Sequence, residues 1–119
     1  MNVALIGASH KPHRYAYKAL YDLCNNNYTV YPVHSILKQI DQVSVYPSIT
    51  AIPVEIHTVT LYVNKEKSIA MADEIISKNP KRIIFNPGTE NPILEKQAQQ
   101  QGIQTVNACT LVMLRTGAF

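Results

Sequence analysis

The segment from Val3 to Tyr15 constrains the fold of this chain more than any other. Four consecutive apolar residues, Val3 to Ile6, run directly into Gly7 and two small residues, and a helical pattern begins at Tyr15. A short apolar run that ends at a turn signal is typical of a strand buried on both faces of a parallel sheet. A helix that follows such a turn presents unpaired N–H groups and the positive end of its dipole. The opening segment therefore predicts a strand–turn–helix unit whose turn attracts an anion, typically a phosphate.

Basic side chains follow this turn. Lys11 and Arg14 lie where the phosphate would bind, and His10 and His13 stand beside them. A single glycine after a first strand is also typical of a plain strand–helix corner without a ligand. Because Ser9, Lys11 and Arg14 come together here, we interpret the turn as the site of a phosphate-bearing nucleotide or cofactor.

Strand-like and helix-like segments alternate along the rest of the sequence. Apolar, β-branched and aromatic runs predict six strands, of which the third is short: Val3–Ile6, Tyr28–Val33, Val43–Tyr46, Ile56–Val63, Arg82–Phe85 and Ile103–Val106. Periodicity and capping residues predict four helices: Tyr15–Asn25, one after Asn64, one after Asn91 and a short one after Asn107. This alternation predicts a single α/β domain over residues 1–119, a three-layer sandwich around a mostly parallel sheet of about five or six strands.

Apolar stripes indicate which faces of the helices are buried. The stripe of the first helix consists of Tyr17, Leu20, Tyr21 and Cys24, and that of the second consists of Ile69, Ala72, Ile75 and Ile76. We therefore expect Cys24 to be a small buried side chain.

Ligands of such sheets bind beyond the carboxyl ends of the strands, where the strand order reverses. Five loops are expected to converge there: Gly7 to Arg14, Val33 to Ser35, Tyr62 to Lys65, Asn86 to Glu90 and Asn107 to Cys109. Asn86 is predicted to form a hydrogen bond at the mouth of the crevice, and Gly88 to let the backbone approach a ligand.

The sequence departs from the pattern of an NAD site in two places. The full G-x-G-x-x-G is absent, since Ser9 and Pro12 occupy the second and third glycine positions. The second strand ends in Val33-His34-Ser35, without the carboxylate that accepts the ribose hydroxyls of NAD. A ribose with an additional phosphate is more compatible with His34, although His34 is equally interpretable as a plain loop residue.

Composition disfavours several classes of protein. The net charge of +3 is mild and most Lys and Arg residues are scattered, which argues against nucleic-acid binding. No stretch reaches the length of a membrane span and no secretory leader is recognisable, so we expect a cytoplasmic protein. The two cysteines are too few for a disulfide scaffold, and the four histidines lack the spacing of a zinc site.

Recognisable catalytic groups are absent from the sequence. Glu90 has no evident partner carboxylate, and no Ser or Cys precedes a recognisable base. Cys109 comes just before the predicted terminal helix, where both a packing role and a reactive thiol are open.

Nearly the whole chain resembles the small stand-alone CoA-binding domain proteins, which share a Rossmann-like fold with the CoA-binding part of the succinyl-CoA synthetase α subunit. The matching segments are Val3-Ala4-Leu5-Ile6-Gly7-Ala8-Ser9 with Lys11-Pro12 and Arg14-Tyr15, Val30-Tyr31-Pro32-Val33, Val45-Tyr46-Pro47-Ser48-Ile49 with Ile52-Pro53, Phe85-Asn86-Pro87-Gly88-Thr89-Glu90-Asn91 and Asn107-Ala108-Cys109.

The resemblance implies binding of coenzyme A or an acyl-CoA by a non-catalytic or accessory protein. It places the pyrophosphate at Gly7, Ala8 and Ser9 with Lys11 or Arg14. It places the adenosine end beside Val33 and His34, and the rest of the cofactor along Tyr62, Val63, Asn64, Asn86, Pro87 and Gly88. Two alternatives remain open, an acyl-CoA-using enzyme that employs Cys109 or Glu90 and an NAD(P)-binding redox sensor. A protein partner or a homo-oligomer is compatible with all three.

Overall fold

A five-stranded parallel sheet forms the centre of the fold in the computed structural model, which describes all 119 residues. The strands are β1 (Asn2–Ile6), β2 (Thr29–Val33), β3 (Gln39–Ile40), β4 (Val43–Ser44), β5 (Thr58–Leu61), β6 (Arg82–Phe85) and β7 (Gln104–Asn107). The helices are α1 (Tyr15–Asn25), α2 (Lys65–Ala70), α3 (Ala72–Ser77), α4 (Pro92–Gln100) and α5 (Thr110–Thr116). The prediction of an α/β fold around a mostly parallel sheet is confirmed.

The strand order in the sheet is β2-β1-β5-β6-β7, and every neighbouring pair is parallel. The chain leaves β1 toward one edge, forms β2 there, and then crosses back to the other side of β1 to form β5. The order therefore reverses between β1 and β5, next to the turn at Gly7. The strand predicted at Val43–Tyr46 is instead β4 of a separate antiparallel hairpin with β3, and it meets the sheet only through a bridge between Val33 and Tyr46.

Helices cover both faces of the sheet. Successive residues of β1 point to opposite faces: Val3 and Leu5 pack in a cluster with α1, and Ala4 and Ile6 pack in a cluster with α3 and α4. Full burial of one Leu or Ile side chain stabilises the fold by roughly 1.5–3 kcal/mol. Continuous apolar strands such as β1 are thus held in the centre by packing on both sides.

The prediction for the inner face of α1 is confirmed for Leu20 and wrong for Tyr21 and Cys24. Ala16, Ala19, Leu20 and Leu23 are the buried residues of α1, whereas Tyr21 and Cys24 are exposed. The small alanine side chains let the helix lie close to the sheet. The hydroxyl groups of Tyr17 and Tyr21 instead donate hydrogen bonds to Asp41 at the tip of the β3–β4 hairpin.

The helix predicted after Asn64 is divided into α2 and α3 at Met71. The Asn64 side chain caps α2 as expected and accepts a hydrogen bond from the Lys67 N–H at 3.0 Å. Ile69 was expected inside but is 39% exposed. Ser68 is buried in its place, and its hydroxyl oxygen accepts a 2.7 Å hydrogen bond from the Asn91 side-chain amide. This contact joins α2 to the residue that caps α4.

Candidate functional site

A crevice of about 840 Å³ opens at the carboxyl edge of the sheet, where the strand order reverses. Four loops, those after β1, β2, β5 and β6, contribute most of its lining. The predicted site residues in that lining are Gly7, Ala8, Ser9, Lys11, Arg14, Val33, His34, Tyr62, Val63, Asn64, Pro87 and Gly88. Because adjacent strands lie about 4.8 Å apart, four strand ends span about 14 Å. The crevice is therefore elongated and suits an extended ligand.

The turn after β1 is braced by β2. The N–H groups of Gly7 and Ala8 donate to the Val33 carbonyl at 3.1 and 3.2 Å, so they are not the free donors that the sequence suggested. The N–H groups of Ser9 and His10 make no hydrogen bond within the protein. The Arg14 side chain does not cap α1 either, which leaves the first N–H groups of that helix unpaired. The available main-chain donors thus lie a few residues beyond the glycine.

Gly7 is required by packing at the floor of the crevice. It has a φ of +92°, a conformation that favours glycine. A Cβ at this position would lie 2.7 Å from the Tyr62 carbonyl oxygen and 2.8 Å from Cγ1 of Val63. The missing side chain therefore lets β1 and β5 approach each other at the point of reversal.

The charged side chains of the crevice are all basic. Lys11, Arg14 and Lys67 line it together with His10 and His34, and no Asp or Glu does. Charges of one sign in a concave site raise the local electrostatic potential and attract the opposite sign. The crevice is accordingly suited to an anionic ligand.

Apolar groups complete the lining. Ile36 and Tyr15 are 77% and 70% exposed, and both stand on the crevice. Tyr62 also lines the crevice, while its hydroxyl group is buried without a partner. Burial raises the pKa of Tyr62 to about 12, so the phenol is neutral at physiological pH.

Asn86 does not reach the crevice, which corrects the expectation from the sequence. It is 2% exposed, and its amide nitrogen donates to the Thr60 hydroxyl at 2.7 Å and to the Leu61 carbonyl at 2.8 Å. Its amide oxygen accepts a hydrogen bond from the Thr110 N–H at 2.8 Å. All of these bonds are internal, so Asn86 joins β5, β6 and the start of α5.

The loop after β7 is also absent from the crevice, so four of the five predicted loops converge. Asn107 donates a 2.9 Å hydrogen bond to Glu95, and Cys109 is the half-buried residue before α5. The reason is topological, because β7 is the edge strand furthest from the reversal. Glu90 likewise lies outside the lining, and its carboxylate accepts a 3.0 Å hydrogen bond from the Gly88 N–H.

Several lining residues escaped the sequence analysis. They include Tyr15, Ile36, Leu37, Lys67 and Met71. Lys67 was the most predictable of them, because it follows the capping residue Asn64 by three positions in the loop-to-helix segment after β5. The segment around Ile36 has no periodicity, and its place on the crevice depends on the hairpin that follows it.

The structure contains no group of three or more His, Cys, Asp or Glu side chains arranged to hold a metal ion. None of the helices combines the length and the apolar character that crossing a membrane requires.

Residues 1–115 match the family model described as the CoA binding domain. The chain belongs to this family. The resemblance noted in the sequence is thereby confirmed, and the Rossmann-like fold with it. No curated protein has a matching sequence.

Solved structures extend the comparison for this member of the CoA-binding-domain family. An uncharacterized protein is 36% identical over 99% of this chain and 97% of its own, with a TM-score of 0.89. A hypothetical protein from Pyrococcus horikoshii OT3 is 30% identical, with 96% and 81% coverage and a TM-score of 0.91. A dinucleotide-forming acetyl-coenzyme A synthetase from Ca. Korarchaeum cryptofilum is 20% identical over 90% of this chain but only 25% of its own. With a TM-score of 0.76, that last similarity concerns the fold alone.

Proposed function

We propose that this protein binds coenzyme A or an acyl-CoA in the crevice between the loops after β1, β2, β5 and β6. The observation that carries the proposal is an elongated crevice whose charged lining is entirely basic, in a chain of the CoA-binding-domain family. Coenzyme A is an extended molecule with several phosphate charges, which matches both the length of the crevice and its sign.

The unpaired donors suggest how the cofactor lies. The pyrophosphate is proposed to bind at Ser9, Lys11, Arg14 and the first turn of α1, where free N–H groups and cations coincide. The adenosine end is proposed to lie beside Val33 and His34. The pantetheine arm then follows Tyr62, Val63 and Asn64 toward Pro87 and Gly88.

We propose binding without turnover. The Ser9 hydroxyl oxygen accepts a 3.1 Å hydrogen bond from the Lys11 N–H, and Nδ1 of His34 accepts hydrogen bonds from two backbone N–H groups. Neither group is paired as a nucleophile with its base. An accessory role, in which the protein holds or delivers the cofactor, fits this lining better than an acyl-transfer reaction.

Thermal unfolding in the presence of candidate ligands tests the proposal. Coenzyme A and acetyl-CoA at about 100 times Kd are expected to stabilise the fold by about 2.7 kcal/mol, a rise in Tm of about 10 °C. NAD and NADP should leave Tm unchanged. The double variant Lys11→Ala with Arg14→Ala should lose most of the shift, because two phosphate contacts are removed.

The matched control is the double variant Lys96→Ala with Arg115→Ala, which removes two exposed charges that do not line the crevice. It should keep the wild-type shift. Stabilisation by NAD instead of coenzyme A, or equal shifts in both double variants, would overturn the proposal.

A further inference from the structure

The side chain of His34 holds the crevice wall that follows β2. Its Nδ1 atom accepts hydrogen bonds from the N–H groups of Ile36 and Leu37, both at 3.0 Å. The His34 backbone is itself fixed, because its N–H donates to the Tyr46 carbonyl at 3.0 Å. The imidazole ring is therefore anchored at its base and braces the residues immediately after it.

The N–H groups of Ile36 and Leu37 make no other hydrogen bond, and the N–H group of Ser35 makes none at all. All three residues line the crevice, and none of them belongs to a helix or a strand. Ile36 is largely exposed, so packing does not hold it, whereas Leu37 is half-buried and packs against the cluster between β1 and α1. The Ser35 and Ile36 part of this wall consequently depends on the imidazole.

The geometry also assigns the tautomer of His34. A nitrogen that accepts two N–H bonds must carry its lone pair, so the proton of the neutral ring resides on Nε2. A protonated ring would turn Nδ1 into a donor that faces two other donors, and both bonds would be lost. The wall therefore requires a neutral imidazole.

The side chains around His34 in the crevice carry no negative charge. The titratable side chains that share the crevice are Lys11, His10, Arg14 and Tyr15 from the β1–α1 segment, Tyr62 from the end of β5 and Lys67 from α2. None of them is a carboxyl group, and the charged ones among them are cations.

We infer that His34 is a positioning residue, whose neutral imidazole shapes the Ser35–Leu37 wall for the adenosine end of the ligand. The inference rests on the proposed function for the identity of the ligand, but the wall itself is a property of the free protein. Ligand binding is expected to weaken when the imidazole is removed, because the wall then loses both of its hydrogen bonds.

The first test uses the protein without ligand. Amide hydrogen exchange measured by NMR should show protection of the Ile36 and Leu37 N–H groups in the wild type at pH 8. His34→Ala should lose this protection. His34→Asn should keep it, because the oxygen of an Asn side chain accepts bonds from the following backbone N–H groups in the same way. Loss of protection in both variants, or no loss in either, would overturn the inference.

The second test measures the affinity for coenzyme A by calorimetry. His34→Ala should bind about tenfold more weakly than the wild type, while His34→Asn should bind about as tightly, since the wall is rebuilt.

The matched control is His57→Asn, which replaces the histidine that precedes β5 at the opposite edge of the sheet. It should keep the affinity of the wild type. Equal affinities of the wild type and His34→Ala, or equal losses of affinity in His34→Ala and His34→Asn, would overturn the inference. If coenzyme A does not bind the wild type at all, the proposed function fails, and the exchange experiment alone decides the role of His34.

Discussion

Gly7 illustrates how one residue serves both the fold and the site. Sequence reasoning assigned it to a turn that exposes backbone donors to a phosphate. In the structure its N–H is bonded to Val33, and the absent side chain makes room for the backbone of Tyr62. The glycine thus fixes the distance between β1 and β5, and the unpaired main-chain donors are those of Ser9, His10 and the start of α1.

Substitution of Gly7 by Ala is therefore expected to destabilise the protein strongly. The left-handed conformation costs about 1–2 kcal/mol, and the clash with the Tyr62 carbonyl adds about 1–3 kcal/mol. Urea unfolding should report a loss of about 2–5 kcal/mol in the free energy of unfolding. Gly102→Ala is the control, because Gly102 has a φ of +79° but open space around its Cβ position. It should lose only about 1–2 kcal/mol, and equal losses would contradict the packing argument.

At the scale of elements, the β3–β4 hairpin is attached to α1 at its tip. Tyr17 donates a 2.9 Å hydrogen bond to Oδ2 of Asp41, and Tyr21 donates to the same oxygen. The hairpin comes directly after the Ser35–Leu37 wall in the chain. Its attachment to α1 therefore also supports this wall of the crevice. These phenol groups hold the pKa of the Asp41 carboxyl below its usual range, and the hydrogen bond to Asp41 in turn raises the pKa of Tyr21.

Because the pKa of Asp41 is lowered in the folded protein, we expect the free energy of unfolding to depend on pH. A carboxyl whose pKa is lower in the folded state contributes stability above its unfolded pKa of about 3.9, and this stability is lost as the pH falls through the folded value. The Asp41→Asn variant keeps a residue that tolerates the φ of +51° but has no charge to lose. The difference in unfolding free energy between wild type and variant should therefore be constant from pH 8 to 5 and shrink in acid below about pH 4.

Denaturant unfolding across this pH range measures that difference. Asp73→Asn, which removes an exposed carboxylate on α3, should show no comparable change. A difference that grows as the pH is lowered would contradict the role assigned to the tyrosine hydroxyls.

At the scale of the whole molecule, the reversal of strand order gathers the cations of separate segments around one crevice. Lys11 and Arg14 come from the segment after β1, and Lys67 comes from α2, more than fifty residues later in the chain. These cations attract an anionic ligand through Coulomb forces, which mobile ions screen over about 10 Å at 0.1 M salt.

Affinity for coenzyme A should therefore depend on salt. Calorimetry is expected to show roughly tenfold weaker binding at 500 mM than at 50 mM NaCl, because the phosphates and the cations are screened from each other. The Lys11→Ala, Arg14→Ala double variant should show a shallower dependence. Equal affinities at both salt concentrations would indicate that the cations of the crevice do not contact the phosphates.

The sequence by itself determined the order of the elements and the position of the main site. Uninterrupted apolar runs such as β1, caps such as Asn64 and Asn91, and the turn at Gly7 are local signals, because each depends on a few neighbouring residues. The alternation of strands and helices then indicated the sheet edge at which the crevice opens. These local features were sufficient for the fold class and for most of the residues that line the crevice.

Only the tertiary structure decided which of two adjacent helix faces is buried and which loop residues face the crevice. A stripe through Tyr17 and one through Ala16 are both possible on α1, and packing against the sheet together with the Asp41 contact selects between them. The amide of Asn86 was assigned to the ligand by its place after β6, yet Thr60 and Thr110, distant in sequence, bind it internally. Hydrogen bonds and packing between segments far apart in the chain have no local signal, so they are settled only when the segments come together in three dimensions.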